Sequence, residues 1–81
     1  MPTATEQRLI AYHVARLKDK NPQVRLASIE ELLLLEATDA LSALEELFRT
    51  DTDIEVRKAA QEAGKVLFRK KQEQEKEPPS D

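Results

Sequence analysis

The chain has 81 residues, of which 36% are charged and 40% hydrophobic, with one glycine, four prolines and no cysteine. That length holds one small domain, and a domain of this size buries only roughly 60% of the surface its unfolded chain exposes. Small scaffolds offset so thin a margin with disulfides, a metal or another chain. The missing cysteines exclude disulfides, and a lone histidine leaves too few ligands for a structural zinc, so association with another chain is the remaining route. A net charge of −3 argues against nucleic acid, whose binding needs concentrated positive charge. Arg8, Arg16 and Lys18 on the first helix are the one small basic cluster. There is no signal-peptide pattern, and the longest apolar run, Leu32 to Leu35, is too short to cross a bilayer. The expectation is a soluble, cytoplasmic chain without membrane insertion, and Met1 is the expected start of a complete small protein.

Ala, Leu, Glu, Lys, Arg and Gln dominate, the residues that lose least on entering a helix. Four helices follow in order. Thr3 and Glu6 have the spacing of a capping box, opening a helix that runs to about Lys18 with Leu9, Ile10, Val14 and Leu17 on one side. Asn21 caps and Pro22 starts a second helix, reaching Leu35. Thr38 or Asp39 caps a third that carries Leu41, Leu44, Leu47 and Phe48 at helical spacing. Asp53 caps the fourth, from Ile54 to about Lys70. Residues 71–81, KQEQEKEPPSD, have almost nothing apolar to bury and read as a frayed helix end followed by a disordered charged tail.

Laid over itself, the chain repeats. Asp19, Val24, Arg25 and Ala27 match Asp51, Val56, Arg57 and Ala59 at a constant offset of 32 residues, and Glu30, Leu34 and Leu35 match Glu62, Val66 and Leu67. Each copy is a loop with an aspartate, a cap, and a helix opening with Val-Arg and small residues. This pattern resembles the HEAT-repeat family, in particular the short variety of bilin-lyase-like proteins. Asp19, Val24-Arg25, Ala27-Ser28 and Leu32 carry the resemblance in the first copy. Asp51, Asp53, Val56-Arg57, Ala59-Ala60 and Ala63 carry it in the second.

The resemblance implies an all-α fold, a four-helix α-solenoid fragment of two antiparallel helix pairs, repeat 1 at about 5–36 and repeat 2 at about 38–70 within a domain of residues 1–70. Helices one and three would be the outer helices, two and four the inner. It further implies that Arg25 ties the repeats together through Asp51 or Asp53, and that Arg57 is structural or meets a partner. Two repeats are few for such a stack, which normally needs three or more with polar ends. Either the ends are unusually polar, or something covers one of them.

Helical phase places Val56, Ala59, Ala60, Ala63 and Leu67 on the core face of helix four, with Val24, Ala27, Ser28 and Leu35 as the counterpart on helix two. The backs differ. Helix four carries Lys58, Gln61 and Lys65 where helix two carries Leu26, Ile29 and Leu33. Those three apolar residues either pack beneath helix one or form an exposed stripe for a partner, rimmed by Arg25, Glu30, Lys58 and Lys65. Tyr12 is a second candidate contact, and His13 lies at the border of the core.

Catalysis has no support. There is no cysteine, Ser28 sits where small core residues belong, Ser42 is on a helix back, Ser80 is in the tail, and no glycine-rich loop exists. Adjacent carboxylates on a helix point apart. The expected function is therefore non-catalytic protein–protein interaction, as a scaffold, adaptor or assembly factor, with another protein or a second copy as partner and no cofactor or metal. The alternative, implied by the bilin-lyase resemblance, is a chaperone-like subunit assisting bilin chromophore attachment in phycobiliproteins.

Overall fold

In the computed structural model, which describes residues 3–76, four helices follow one another: α1 at Ala4–Arg16, α2 at Pro22–Leu34, α3 at Leu41–Thr50 and α4 at Ile54–Lys76. The starts of α1, α2 and α4 follow their capping residues. The Thr3 hydroxyl accepts from the Glu6 N–H at 3.1 Å, and the Glu6 side chain reaches back to the Thr3 N–H, completing the capping box. Asn21 Oδ1 accepts from the Gln23 N–H at 2.9 Å ahead of Pro22. Asp53 Oδ1 accepts from the Glu55 and Val56 N–H groups at 2.9 and 3.1 Å. Each such cap contributes about 1 kcal/mol.

The third helix departs from expectation. Neither Thr38 nor Asp39 caps it. Residues Thr38–Ala40 form a 3₁₀ turn that runs into α3 with no side-chain cap. Ala37 and Ala40 are both buried there, so tight packing of the turn positions the helix instead.

α2 ends in a Schellman motif. The Ala37 N–H donates to the Leu32 carbonyl and the Glu36 N–H to the Leu33 carbonyl, both at 3.0 Å, with Glu36 at φ 52°. Glu36 thus holds a left-handed conformation that glycine usually fills. Its carboxylate pairs with Lys70, within α4, joining the C-terminal end of α2 to that helix.

α1 packs on α2, α2 on α4, and α4 on α3. The core contains Leu17, Ile29, Leu32, Leu44, Val56, Ala60, Ala63 and Leu67, all 3% exposed or less. Burying a leucine or isoleucine contributes roughly 1.5–3 kcal/mol, and the alanines of α4 let the helices approach closely. α1 buries no residue within its own span; Ile10 and Val14 lie half-buried and Leu17, its C-cap, closes the base. A groove floored by Val14, Leu17, Ala43 and Leu47 runs between α1 and α3.

The expected tail is helical as far as Lys76. Its Lys, Gln and Glu residues are strong helix formers, and they extend α4 without entering the core. The rest of that segment, 77–81, lies outside the described residues.

Candidate protein-interaction surface

The loops within the two repeats, α1–α2 and α3–α4, are built alike. Asp19 Oδ1 accepts from the Asn21 N–H at 2.9 Å, and Asp51 Oδ1 accepts from the Asp53 N–H at 2.9 Å. Asn21 and Asp53 then cap the following helix in the same way. The offset seen in the sequence is therefore an offset of local structure.

Arg25 acts on both loops at once. Its Nη1 donates to the carbonyls of Asp19 and Lys20 at 2.8 and 3.1 Å, holding its own loop. Its Nη2 donates to Asp51 Oδ1 at 3.0 Å, while Nε stands 2.8 Å from Oδ2 as a charge contact whose angle falls short of a hydrogen bond. The side chains are only 12% and 5% exposed, so water screens this contact little. Asp51, not Asp53, is the partner across the repeats. Arg57 acts locally, within repeat 2. Its Nε donates to the Phe48 carbonyl at 3.0 Å, which favourably places a cation at the C-terminal end of α3.

The apolar stripe expected on α2 is not an exposed stripe. Ile29 is 2% exposed and belongs to the core, and Leu26 and Leu33 are half-buried and packed against it. The reason is that α2 has neighbours on two sides, α1 and α4, so its buried arc is wider than one face. Ala27, assigned to the core by phase, is exposed instead, while Ser28 is buried and its hydroxyl donates to the Val24 carbonyl at 2.9 Å.

Four large apolar residues face solvent on α2 and α4: Leu34 at 77%, Ile54 at 57%, Phe68 at 55% and Val66 at 45%. Of these, Leu34 and Val66 occupy equivalent positions in the two repeats. One turn before each stands an exposed glutamate, Glu30 and Glu62, and Lys58 and Lys65 are exposed beside them. Lys65 and Glu62 approach to 3.9 Å, an exposed pair of little energetic weight. Phase reasoning missed Leu34 because it sits within a run of four leucines; its match to Val66 was the available signal.

The model of HEAT repeats matches residues 3–64. This chain belongs to the HEAT-repeat family. The match is to HEAT repeats as a class and does not single out the bilin-lyase-like variety. No curated protein and no solved structure matches the chain. HEAT repeats generally mediate protein–protein interaction.

On the outer side of this HEAT pair, Tyr12 is 53% exposed, with the Arg16 guanidinium 5.3 Å from its ring centroid and the His13 ring edge-on at 5.1 Å. His13 is half-buried, and its Nδ1 is enclosed without a partner. A second groove lies at the far side of repeat 2, between α3 and α4, lined by Leu41, Phe48, Gly64, Lys65 and Phe68. Among the described residues no cluster of His, Asp or Glu could hold a metal ion, and no helix is long and apolar enough to cross a membrane.

Proposed function

We propose that this HEAT pair is a non-catalytic protein-binding module, a scaffold, adaptor or assembly factor, that docks on a larger protein through the inner surface of α2 and α4. The observation that carries the reading is the equivalence of Leu34 and Val66, apolar and exposed in both repeats. Repetition matters because an isolated exposed leucine is ordinary on any surface. Two at the same repeat position, each preceded by a glutamate, form a ladder that a partner helix or extended segment can follow. Leu26 and Leu33, half-buried, add apolar floor beside it. Glu30, Glu62, Lys58 and Lys65 form a charged rim that steers and orders more than it holds. The cysteine-free chain suits a reducing, cytoplasmic setting.

The test is affinity capture from the source cell, comparing the wild type with Leu34→Lys/Val66→Lys. Both positions are exposed, so the helical signal and unfolding midpoint stay unchanged. A specific partner retained by the wild type and lost by the variant supports the ladder. A partner retained equally by both removes it.

A further inference from the structure

The 32-residue offset allows each outward face of the stack to be compared with the equivalent face that is covered. α4 turns Val56 and Ala63 into the core, 0% and 2% exposed, and keeps Ala59 half-buried. The equivalents on α2 are Val24, half-buried, and Ala27 and Glu31, both exposed. This side of α2 looks away from repeat 2. In the other direction, α2 buries Ile29 and Leu32 and half-buries Leu26 and Leu33. The equivalents on α4 are Gln61, Gly64, Lys58 and Lys65: the three side chains are exposed, and nothing stands within 4 Å of where a Cβ on Gly64 would be.

The two ends are therefore chemically unlike. At the α4 end, all four apolar residues that cover the junction have given way to Lys, Gln, Gly and Lys. In the register of the junction that is the polar face that closes a repeat stack, although Leu41, Phe48 and the exposed Phe68 line a groove beside it. At the α2 end, Val24, Ala27 and Leu35 stand where α4 has Val56, Ala59 and Leu67, so the stacking chemistry is retained with Glu31 as the departure. Asp19 is retained as well. Its Oδ1 holds the Asn21 N–H as Asp51 holds that of Asp53, but Asp51 also receives Arg25. Among the described residues no cation pairs with the Asp19 carboxylate.

A second copy is a poor occupant for that end. Its α4 offers Lys58, Gln61, Gly64 and Lys65 in the register where α2 offers Leu26, Ile29, Leu32 and Leu33 to repeat 2. We propose instead that the α2 end docks on the uncapped end of a helical-repeat array carried by another polypeptide. That end presents a helix pair rich in Leu and Ile, with an arginine placed toward Asp19 as Arg25 is placed toward Asp51. The chain then serves as a terminal cap, joined through α2 and closed to further stacking by α4. Glu31 selects arrays with a basic residue opposite it. This surface adjoins the proposed ladder, because Leu34 stands two turns beyond Ala27 on the same side of α2.

The probe is a variant of the chain itself, Lys58→Leu/Gln61→Ile/Gly64→Leu/Lys65→Leu, which gives α4 the outward face of α2. Light scattering over a concentration series reads the result. The wild type stays monomeric. The probe assembles head to tail with a mass that grows with concentration, and added wild type shortens the assemblies. Asp19→Asn in the probe keeps the acceptor for Asn21 but removes the charge, and weakens assembly about tenfold or more. Ala27→Glu blocks it, and Tyr12→Ala, exposed on α1, leaves it intact. A folded probe that remains monomeric overturns the proposal. So do assemblies indifferent to both Asp19→Asn and Ala27→Glu, or a wild type that dimerises through its α2 end. Should the fourfold variant not fold, Gln61→Ile/Lys65→Leu is measured in the same way with the same readings.

Discussion

Arg25 reaches Asp51 across the repeat junction with its side chain 12% exposed and that of its partner 5%. The pair links the loop before α2 to the loop before α4, because Arg25 also bonds the Asp19 and Lys20 carbonyls. Removing one partner of a buried pair leaves an uncompensated charge, which costs about 3–5 kcal/mol. In a domain of this size that is a large share of the total stability.

Asp51→Ala is accordingly expected to lower unfolding free energy by about 3 kcal/mol, because the Asp53 N–H loses its acceptor as well. Arg25→Met alone falls in the same range. The double change Arg25→Met/Asp51→Asn recovers part of the loss, since no buried charge is left unpaired and the amide still accepts from Asp53. Urea titration of these variants together with Asp51→Asn, which closes the cycle with Arg25→Met, gives the coupling directly. Additive losses would show that the two side chains do not act as a pair.

Leu26→Lys/Leu33→Lys separates the core from the binding surface. Both leucines are half-buried and packed on the core, so the double change places two ammonium groups in apolar contact and is expected to unfold the domain. Leu34→Lys, at a position 77% exposed, shifts stability by no more than about 0.5 kcal/mol. Circular dichroism during thermal melts checks both. A folded Leu26→Lys/Leu33→Lys variant would return these residues to the surface.

The architecture was legible because it rests on features that a sequence displays in the open. The Val-Arg repeats, the Thr3–Glu6 box, Asn21-Pro22 and Asp53 mark the loops and the starts of α1, α2 and α4. What failed was any inference needing the number of neighbours a helix has. Ile29 looked like part of a back face because helical phase assumes one buried side, and α2 has two. The 3₁₀ turn at Thr38–Ala40 carries no capping signal, and the extension of α4 to Lys76 follows helix propensity where burial had been the criterion. Of the residues expected at a partner surface, Glu30, Lys58, Lys65 and Tyr12 are exposed, whereas Leu34 and Val66, which the proposed surface needs, were not singled out by helical phase.

Glu36 is strained by its φ of 52°, and nothing in its identity announces the turn. Glu36→Gly relieves the left-handed strain by about 1 kcal/mol and forfeits an exposed pair with Lys70 worth less than that. The expected net effect is a gain in stability. Glu36→Ala loses the pair without relieving the backbone and falls below the wild type. The order Gly, wild type, Ala in urea midpoints is the check.

Lys70 is held above the ordinary lysine range, first by its hydrogen bond to Glu36, then by the charge of Glu36, with Glu73 adding to it. A lysine whose folded value is raised contributes stability that is fully present below its unfolded value, about 10.4. That contribution is lost as pH rises through the folded value. The Tm gap between wild type and Lys70→Met is thus expected to be small and constant through neutral pH and to close in strong alkali. A gap that widens on that side would mean the pair is not what joins the end of α2 to α4.

Gly64 poses the sharpest question about what the α4 end meets. It lies inside a long helix, where glycine costs about 1 kcal/mol relative to alanine, and no atom stands within 4 Å of an added Cβ. Its equivalent in repeat 1 is Leu32, which is fully buried. The isolated chain therefore gains nothing from the glycine, and Gly64→Ala is expected to raise stability by about 1 kcal/mol. Its effect on binding then discriminates between two surfaces. If the α4 end is a closing face, Gly64→Ala leaves partner capture unchanged while Leu34→Lys/Val66→Lys abolishes it. If a partner backbone approaches the groove between Phe48 and Phe68, the added methyl weakens capture despite the more stable fold, and the α4 end is then an interface.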